Sequence, residues 1–305
     1  MSRLLVECVP NISEGRDPAR VDTVERAIAS APGVLILHRT SDADHNRSVI
    51  TFAAPPDTVV EAALRAVSAA AKLIDLRSQS GVHPRLGALD VLPFVPLQGL
   101  TIADCIQLAH HAGQRIWNEL AIPVYFYEAA ATRPDRVRLE DVRRGEFELL
   151  RERAPIDPLK APDIGGPELH PTAGAVVVGA RKILIAYNVN LNTADLQLAK
   201  DIANRIRARN GGFPGVKALG LPLASRGLVQ VSMNITDFEA SPVHVIYAEV
   251  ARLAALAGVE IVESELIGLM PKKAVEMAAA GLLKLSDFHS SRVIENRVDE
   301  LSFSK

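Results

Sequence analysis

Residues 48–74, SVITFAAPPDTVVEAALRAVSAAAKLI, change their hydrophobic period halfway, and that change decides the fold. Before the prolines, Val49, Ile50, Thr51 and Phe52 are β-branched or aromatic and suit a strand. Pro55 and Pro56 then open a helix whose apolar positions, Val59, Val60, Ala63, Leu64, Val67, Ala70, Ala71 and Ile74, recur every 3.6 residues. Upstream, residues 34–38 read as a strand, separated from 48–53 by the polar turn 41–46. Further back, Asp17 supplies an N-cap and Pro18 an N1 proline for a helix burying Val21, Val24 and Ile28. Residues 4–9 precede it as a strand. Downstream, residues 89–97 are extended, and Pro93 and Pro96 predict an edge or irregular strand. The order is β-α-β-β-α-β.

A second pass of the same order follows after a connector. Thr101, with Asp104 in a capping-box position, opens a helix that leads to the aromatic strand 124–127. Residues 129–173 read as a short helix and then a long ordered loop, a length that usually carries function. Strands at 175–178 and 183–188 begin the second half. A helix from Thr193 buries Leu196, Ala199, Ile202, Ala203 and Ile206 and ends at Gly211-Gly212. Residues 216–221 and 229–233 form a hairpin around Ser225, Arg226 and Gly227. A helix from Ser241-Pro242, a strand at 259–263, and helices from Pro271 and near Ser286 finish the chain. The predicted class is α+β: two consecutive ferredoxin-like βαββαβ sandwiches, residues 1–179 and 180–305, with a ligand cleft between them.

Composition narrows the function classes. Of 305 residues, 48% are hydrophobic and 23% charged, enough apolar material for a sizeable core and against global disorder. A net charge of −2 argues against a nucleic-acid footprint or a polybasic membrane anchor. Apolar stretches are broken by charge, so no membrane span is expected, and the start of the chain offers no cleavable signal, which points to the cytoplasm. The halves differ: residues 1–179 carry a net −4 and residues 180–305 a net +2, making the second the better host for an anionic ligand tail. Cys8 and Cys105 give neither a disulfide framework nor metal spacing.

Four segments place polar residues where packing alone would not ask for them. ECVPNISEGR (residues 7–16) ends the first strand, where α/β proteins often bind ligands, though a strand followed by an Asn/Ser turn explains it as well. In DADHNR (residues 42–47), Asp42, Asp44 and His45 invite a metal, but a polar turn accounts for them more cheaply. In GVHPRLGALD (residues 81–90), Pro84 keeps His83 on extended backbone, and Arg85 and Asp90 are near enough to orient the imidazole. A histidine titrates near neutrality and suits proton transfer; a structural loop histidine is the alternative. The glycine-rich sets 165–174 and 211–215 are not phosphate loops; Gly211-Gly212 reads as a helix cap, whereas 165–174 could fold over a cleft. His110-His111 cannot serve one ion, because adjacent helical residues diverge.

Together, ECVPNISEGR (7–16), DHNRSV (44–49), HPRLGALDVLPFVP (83–96), GARKILIAYNVNL (179–191), GGFPGVKALG (211–220) and QVSMN (230–234) resemble the glutamate formiminotransferases, in order and over nearly the whole chain. The resemblance implies transfer of the formimino group of N-formimino-L-glutamate to N5 of tetrahydrofolate, giving 5-formiminotetrahydrofolate and L-glutamate, in histidine degradation and one-carbon metabolism. It also implies two α/β subdomains, a homodimer, tetrahydrofolate as co-substrate and no metal. Bifunctional animal relatives carry a cyclodeaminase domain after this one, and a chain ending near Lys305 does not imply that second activity. The catalytic histidine of the family lands on His83. The folate-binding loop lands on Gly165, Gly166, Pro167, Glu168, Leu169, His170, Pro171, Thr172, Ala173 and Gly174, although Gly166, Pro167, Glu168, His170 and Ala173 depart in character from the animal pattern.

Given that reaction, N5 must lose a proton and the departing nitrogen must gain one; one histidine can do both, typically contributing about 10²–10⁴-fold. For the anionic ends of the substrates the expected cations are Arg47 and Lys217 with Arg181 behind them, and Asn11, Asn188 and Asn190 suit amide contacts. Three alternatives stay open at this stage. The donor could carry formyl, as N-formylglutamate or 5-formyltetrahydrofolate. The chain could bind folate without catalysis, or Asp42, Asp44 and His45 could hold a hydrolytic metal.

Overall fold

The computed structural model describes residues 4–81, 83–223, 226–285, 288–294 and 296. Ser225 in the expected hairpin tip and the start of the expected helix at Ser286 lie outside them. The chain divides into two compact units, Met1–Lys182 and Ile183–Lys305.

The first unit begins with β1 (Leu5–Cys8) and β2 (Asn11–Ile12), two pieces of one strand interrupted at Val9-Pro10. Then come α1 (Pro18–Ala29), β3 (Leu35–Asp42), β4 (Arg47–Ala54), α2 (Pro56–Leu73) and β5 (Leu89–Gln98). Asp17 caps α1 through the amides of Ala19 and Arg20, with Pro18 in the first turn. Counting β1 and β2 as one, the four strands lie in the order fourth, first, third, second, all antiparallel. α3 (Ile102–Leu120) opens on the Thr101–Asp104 capping box. After it, β6 (Val124–Glu128), α4 (Leu139–Val142), α5 (Glu146–Arg153) and β7 (Val176–Ala180) complete the unit. Its core collects the inward face of α2 (Val59, Val60, Ala63, Leu64, Val67, Ala70) with Val6, Cys8 and Ile12 from the first strand. Each such Val, Leu or Ile contributes about 1.5–3 kcal/mol on burial. Cys8 and Cys105 sit in this core as buried free thiols.

Two sequence expectations change here. β5 is irregular, its register with the first strand shifting twice, but it is not an edge: it runs between the first strand and β7, and Val91, Leu92, Phe94 and Val95 are buried. Its prolines are tolerated because Pro93 falls opposite the break at Val9-Pro10 and Pro96 falls where the register with β1 shifts, so the missing N–H groups leave no ladder gap. Residues 175–178 do not start the second half. As part of β7 they pair in parallel with β5 on one side and β6 on the other, a fully buried run of the kind parallel sheets use.

The second unit contains β8 (Ile185–Leu191), α6 (Leu196–Ile206), β9 (Val216–Leu223), β10 (Leu228–Ile235), α7 (Val243–Leu256), β11 (Ile261–Ile267) and α8 (Lys272–Leu282). Its sheet order, β11-β8-β10-β9, is again fourth, first, third, second. α6 starts at Leu196, three residues after Thr193, because the Asp195 carboxylate takes the amides of Gln197 and Leu198. It ends at Ile206, and Gly211 caps the following 3₁₀ turn Ala208–Asn210 instead. Alternation along β10 buries Val229, Val231, Met233 and Ile235 beneath α6 and α7 and leaves Gln230, Ser232 and Asn234 on the opposite face. No described helix is long and apolar enough to cross a membrane.

Candidate active site

Segments remote in sequence converge at one end of the first sheet. Asp90, the second residue of β5, is fully buried, and its carboxylate is the hub. It accepts Arg47 Nη1 at 2.8 Å, Arg143 Nη2 at 2.5 Å and the backbone N–H of Leu86 at 2.7 Å. Arg47 opens β4 and also donates to Asn11, with Nη2 at 2.8 Å and Nε at 3.2 Å from Oδ1. Asn11 donates in turn to the carbonyl of Val9, at the strand break. Two guanidiniums thus share one carboxylate, leaving a surplus positive charge in a buried setting where charges are felt strongly.

His83 stands in that field. Burial, then the charges of Arg47 and Arg143, push its pKa down to about 4, while the Pro84 carbonyl and the Asp90 carboxylate oppose the shift. The imidazole is therefore neutral near pH 7. Its Nδ1 lies 2.7 Å from the carbonyl oxygen of Pro84, which can only accept, so Nδ1 carries the hydrogen and Nε2 keeps its lone pair. Asp90 acts on the ring through charge. Arg85, expected beside the imidazole, turns away: it donates to the carbonyls of Leu76 and Gln79 and pairs with Glu148 at 2.9 Å.

Residues 165–174 lie against this segment. Ala88 N–H donates to Ala173 O and Ala175 N–H to Leu86 O, while Gly87 and Gly174 face each other in an isolated bridge. Gly174 has φ +70°, and a Cβ there would come 2.1 Å from the Leu86 carbonyl, so only glycine permits the approach. Within the loop, His170 Nδ1 accepts the amides of Ala173 and Thr172, a local clamp. Leu169, Ala173 and Gly174 are buried, whereas Gly166, Pro167, Glu168 and Pro171 are exposed and Gly165 rests over Trp117. ECVPNISEGR joins the same assembly: Ser13 Oγ donates to Gly87 O at 2.7 Å, and Ser48 Oγ donates to Glu14 O.

The remaining expected residues divide between the units. Arg181, just past β7, donates to the carbonyls of Phe94 and Lys182. It lies level with Phe94, roughly 13 Å along β5 from Asp90 at the usual strand rise, so it does not stand behind Arg47. Asn188, Asn190 and Lys217 belong to the second sheet. Asn190 is fully buried, donates to Glu263 and Glu265, and accepts from Gln230 at 2.9 Å. Asn188 reaches Glu265 at 3.4 Å, and Arg226 pairs with Glu263. Lys217 is exposed on β9, opposite Asn234.

Asp42, Asp44 and His45 form a compact turn. Asp42 accepts the amides of Asp44 and His45 and pairs with His45 Nδ1 at 3.0 Å. No group of three His, Cys, Asp or Glu placed to hold a metal occurs among the described residues. His110 Nε2 meets the carbonyl of Ala130, and its ring packs on Phe126. The residue that sequence reasoning missed is Arg143. It lies in the arginine-rich stretch 133–153, and nothing in that spacing distinguishes it from Arg138 or Arg144.

Two family profiles match the chain: the formiminotransferase domain, N-terminal subdomain, over residues 5–181, and the formiminotransferase domain over residues 186–301. A glutamate formimidoyltransferase from Thermoplasma acidophilum is 44% identical over 97% of this chain and 98% of its own length. One from Streptococcus pyogenes is 41% identical over 96% and 98%. The formimidoyltransferase-cyclodeaminase of Sus scrofa is 41% identical over 96% of this chain, which spans 56% of that longer protein.

Proposed function

The chain belongs to the formiminotransferase family, and from that premise we propose that it moves the formimino group of N-formimino-L-glutamate to N5 of tetrahydrofolate, releasing L-glutamate and 5-formiminotetrahydrofolate. The activity belongs to histidine breakdown, in a cytoplasmic homodimer whose units are two ferredoxin-like sandwiches. The observation that carries the reading is the neutral imidazole of His83, flanked by two arginines on a segment bound to residues 165–174.

N5 attacks the formimino carbon and becomes cationic. Nε2 of His83, with its lone pair exposed by the Pro84 contact, takes the N5 proton. The C–N bond to glutamate then breaks with its electron pair on the departing nitrogen, which must be protonated. Holding both substrates together supplies up to about 7–11 kcal/mol of the barrier. A free imidazole with a pKa of about 4 is a weak base at neutral pH. Substrate carboxylates set against Arg47 and Arg143 offset the charges that depress it and raise its basicity when the donor is bound. The exposed residues Gly166, Pro167, Glu168 and Pro171 then face the folate, with Leu169, Ala173 and Gly174 anchoring the loop. Arg181 in the first unit and Lys217 in the second are the proposed cations for anionic substrate tails, and Asn11 in the first and Asn188 and Asn190 in the second are proposed for substrate amide contacts, each within the unit it belongs to.

The test is turnover. The protein is mixed with tetrahydrofolate and either N-formimino-L-glutamate or N-formyl-L-glutamate, and folate absorbance is followed. The reading expects turnover with the formimino donor and its loss in His83→Ala with folate binding retained. Turnover with the formyl donor alone, or none above background, overturns it.

A further inference from the structure

His83 has an imidazole neighbour that the reaction so far does not use. The rings of His45 and His83 meet edge to face, centroids 6.1 Å apart. The approach is built into the backbone: a Cβ on Gly81 would lie 2.4 Å from the His45 carbonyl oxygen, so only glycine lets the two segments touch there. Asn46, next to His45, ties the two segments together by donating from Nδ2 to the carbonyl of Ser80 and accepting Gln79 Nε2 on its own backbone carbonyl.

The two rings are held alike in different surroundings. Each commits Nδ1, His45 to the Asp42 carboxylate at 3.0 Å and His83 to the Pro84 carbonyl. Neither Nε2 has a hydrogen-bond partner among the described residues. A negative group lies on His45, whereas two guanidiniums act on His83. Pairs of titratable groups in opposed environments are how a site assigns its acid and its base.

We propose that His45, oriented by Asp42, is the general acid of the transfer, returning a proton to the departing glutamate nitrogen while His83 removes the one on N5. The inference rests on the formimino-transfer reading. In the step, the N5–C bond forms and His83 Nε2 takes the N5 proton. His45 Nε2–H gives its proton to the amino nitrogen, the C–N bond to glutamate breaks with its electron pair on that nitrogen, and the remaining nitrogen reforms C=N. The net change is one proton moved from N5 to glutamate; His83 then gives its proton to solvent and His45 takes one from solvent, which resets the site.

The experiment varies the leaving group. Wild type, His45→Gln, Asp42→Asn and His83→Gln are assayed with N-formimino-L-glutamate and with 4-nitrophenyl formimidate, whose nitrophenolate departs without a proton. His45→Gln should lose about 10²-fold or more in kcat on the first donor and under about tenfold on the second, at unchanged tetrahydrofolate affinity. Asp42→Asn, which keeps the turn and removes the charge, should follow it more weakly. His83→Gln should lose heavily on both. Equal losses for His45→Gln on the two donors, or none on either, overturn the inference. A wild-type enzyme inert toward N-formimino-L-glutamate overturns the reading beneath it instead.

Discussion

Corresponding strands of the two units carry corresponding polar networks. In the first, Asn11 on the first strand, Arg47 on the third and Asp90 on the fourth are joined by hydrogen bonds. In the second, Asn190 on the first strand, Gln230 on the third and Glu263 and Glu265 on the fourth are joined likewise. Each asparagine is the penultimate residue of its strand. The charges are opposite. Arg47 and Arg143 outnumber Asp90 and act on an imidazole, whereas Glu263 and Glu265 outnumber Arg226 and act on amides. One frame therefore builds two environments: one that sets an imidazole among surplus cations, and one that fixes amide side chains against surplus carboxylates.

The largest test of that contrast is catalytic. His83→Ala should lower kcat by about 10²–10⁴-fold with folate affinity kept, while Asn190→Ala should act mainly on KM; steady-state kinetics on both variants decide it. A comparable fall in kcat from both would erase the distinction.

Stability comes next. Asp90→Ala strands two buried guanidiniums and the Leu86 amide and should cost about 3–5 kcal/mol in denaturant unfolding. Asn190→Ala removes an uncharged side chain, with its two hydrogen bonds to carboxylates and one from Gln230, and should cost about 1–3 kcal/mol. A smaller loss at Asp90 than at Asn190 would show that the charged hub is not the stronger tie.

The smallest effect is a displacement in pH. Removing a cation favours imidazolium, so Arg143→Ala should raise the His83 pKa from about 4, visible by NMR titration of the ring and as an upward move of the acid limb of kcat/KM. The linked stability has a definite sign. His83 has a folded pKa below its unfolded value near 6.5, so its contribution is present above that pH and lost as pH falls toward 4. Arg143→Ala should narrow the window, and an unmoved titration would separate Arg143 from the imidazole.

Much of this was legible beforehand, for reasons that are local. The period change at Pro55-Pro56, the Asp17-Pro18 start of α1 and the Thr101–Asp104 box are written in neighbouring residues, and the helices form where those signals stand. His83 could be singled out because Pro84 and two glycines set its backbone apart. Arg143 could not, since an arginine among arginines gains meaning only from the carboxylate it meets 53 residues away in sequence.

By itself, then, the sequence determined the two rounds of strands and helices, their caps, and the segments rich in polar residues, because periodicity and capping act within a turn or two of chain. Tertiary structure alone decided that β5 is central despite its prolines, that β7 lies inside the first sheet rather than opening the second, and that Arg85 leaves His83 while Arg143 and His45 approach it. Those outcomes depend on which strand breaks opposite which proline and which distant side chain shares a buried charge, and such pairings leave no trace in spacing along the chain.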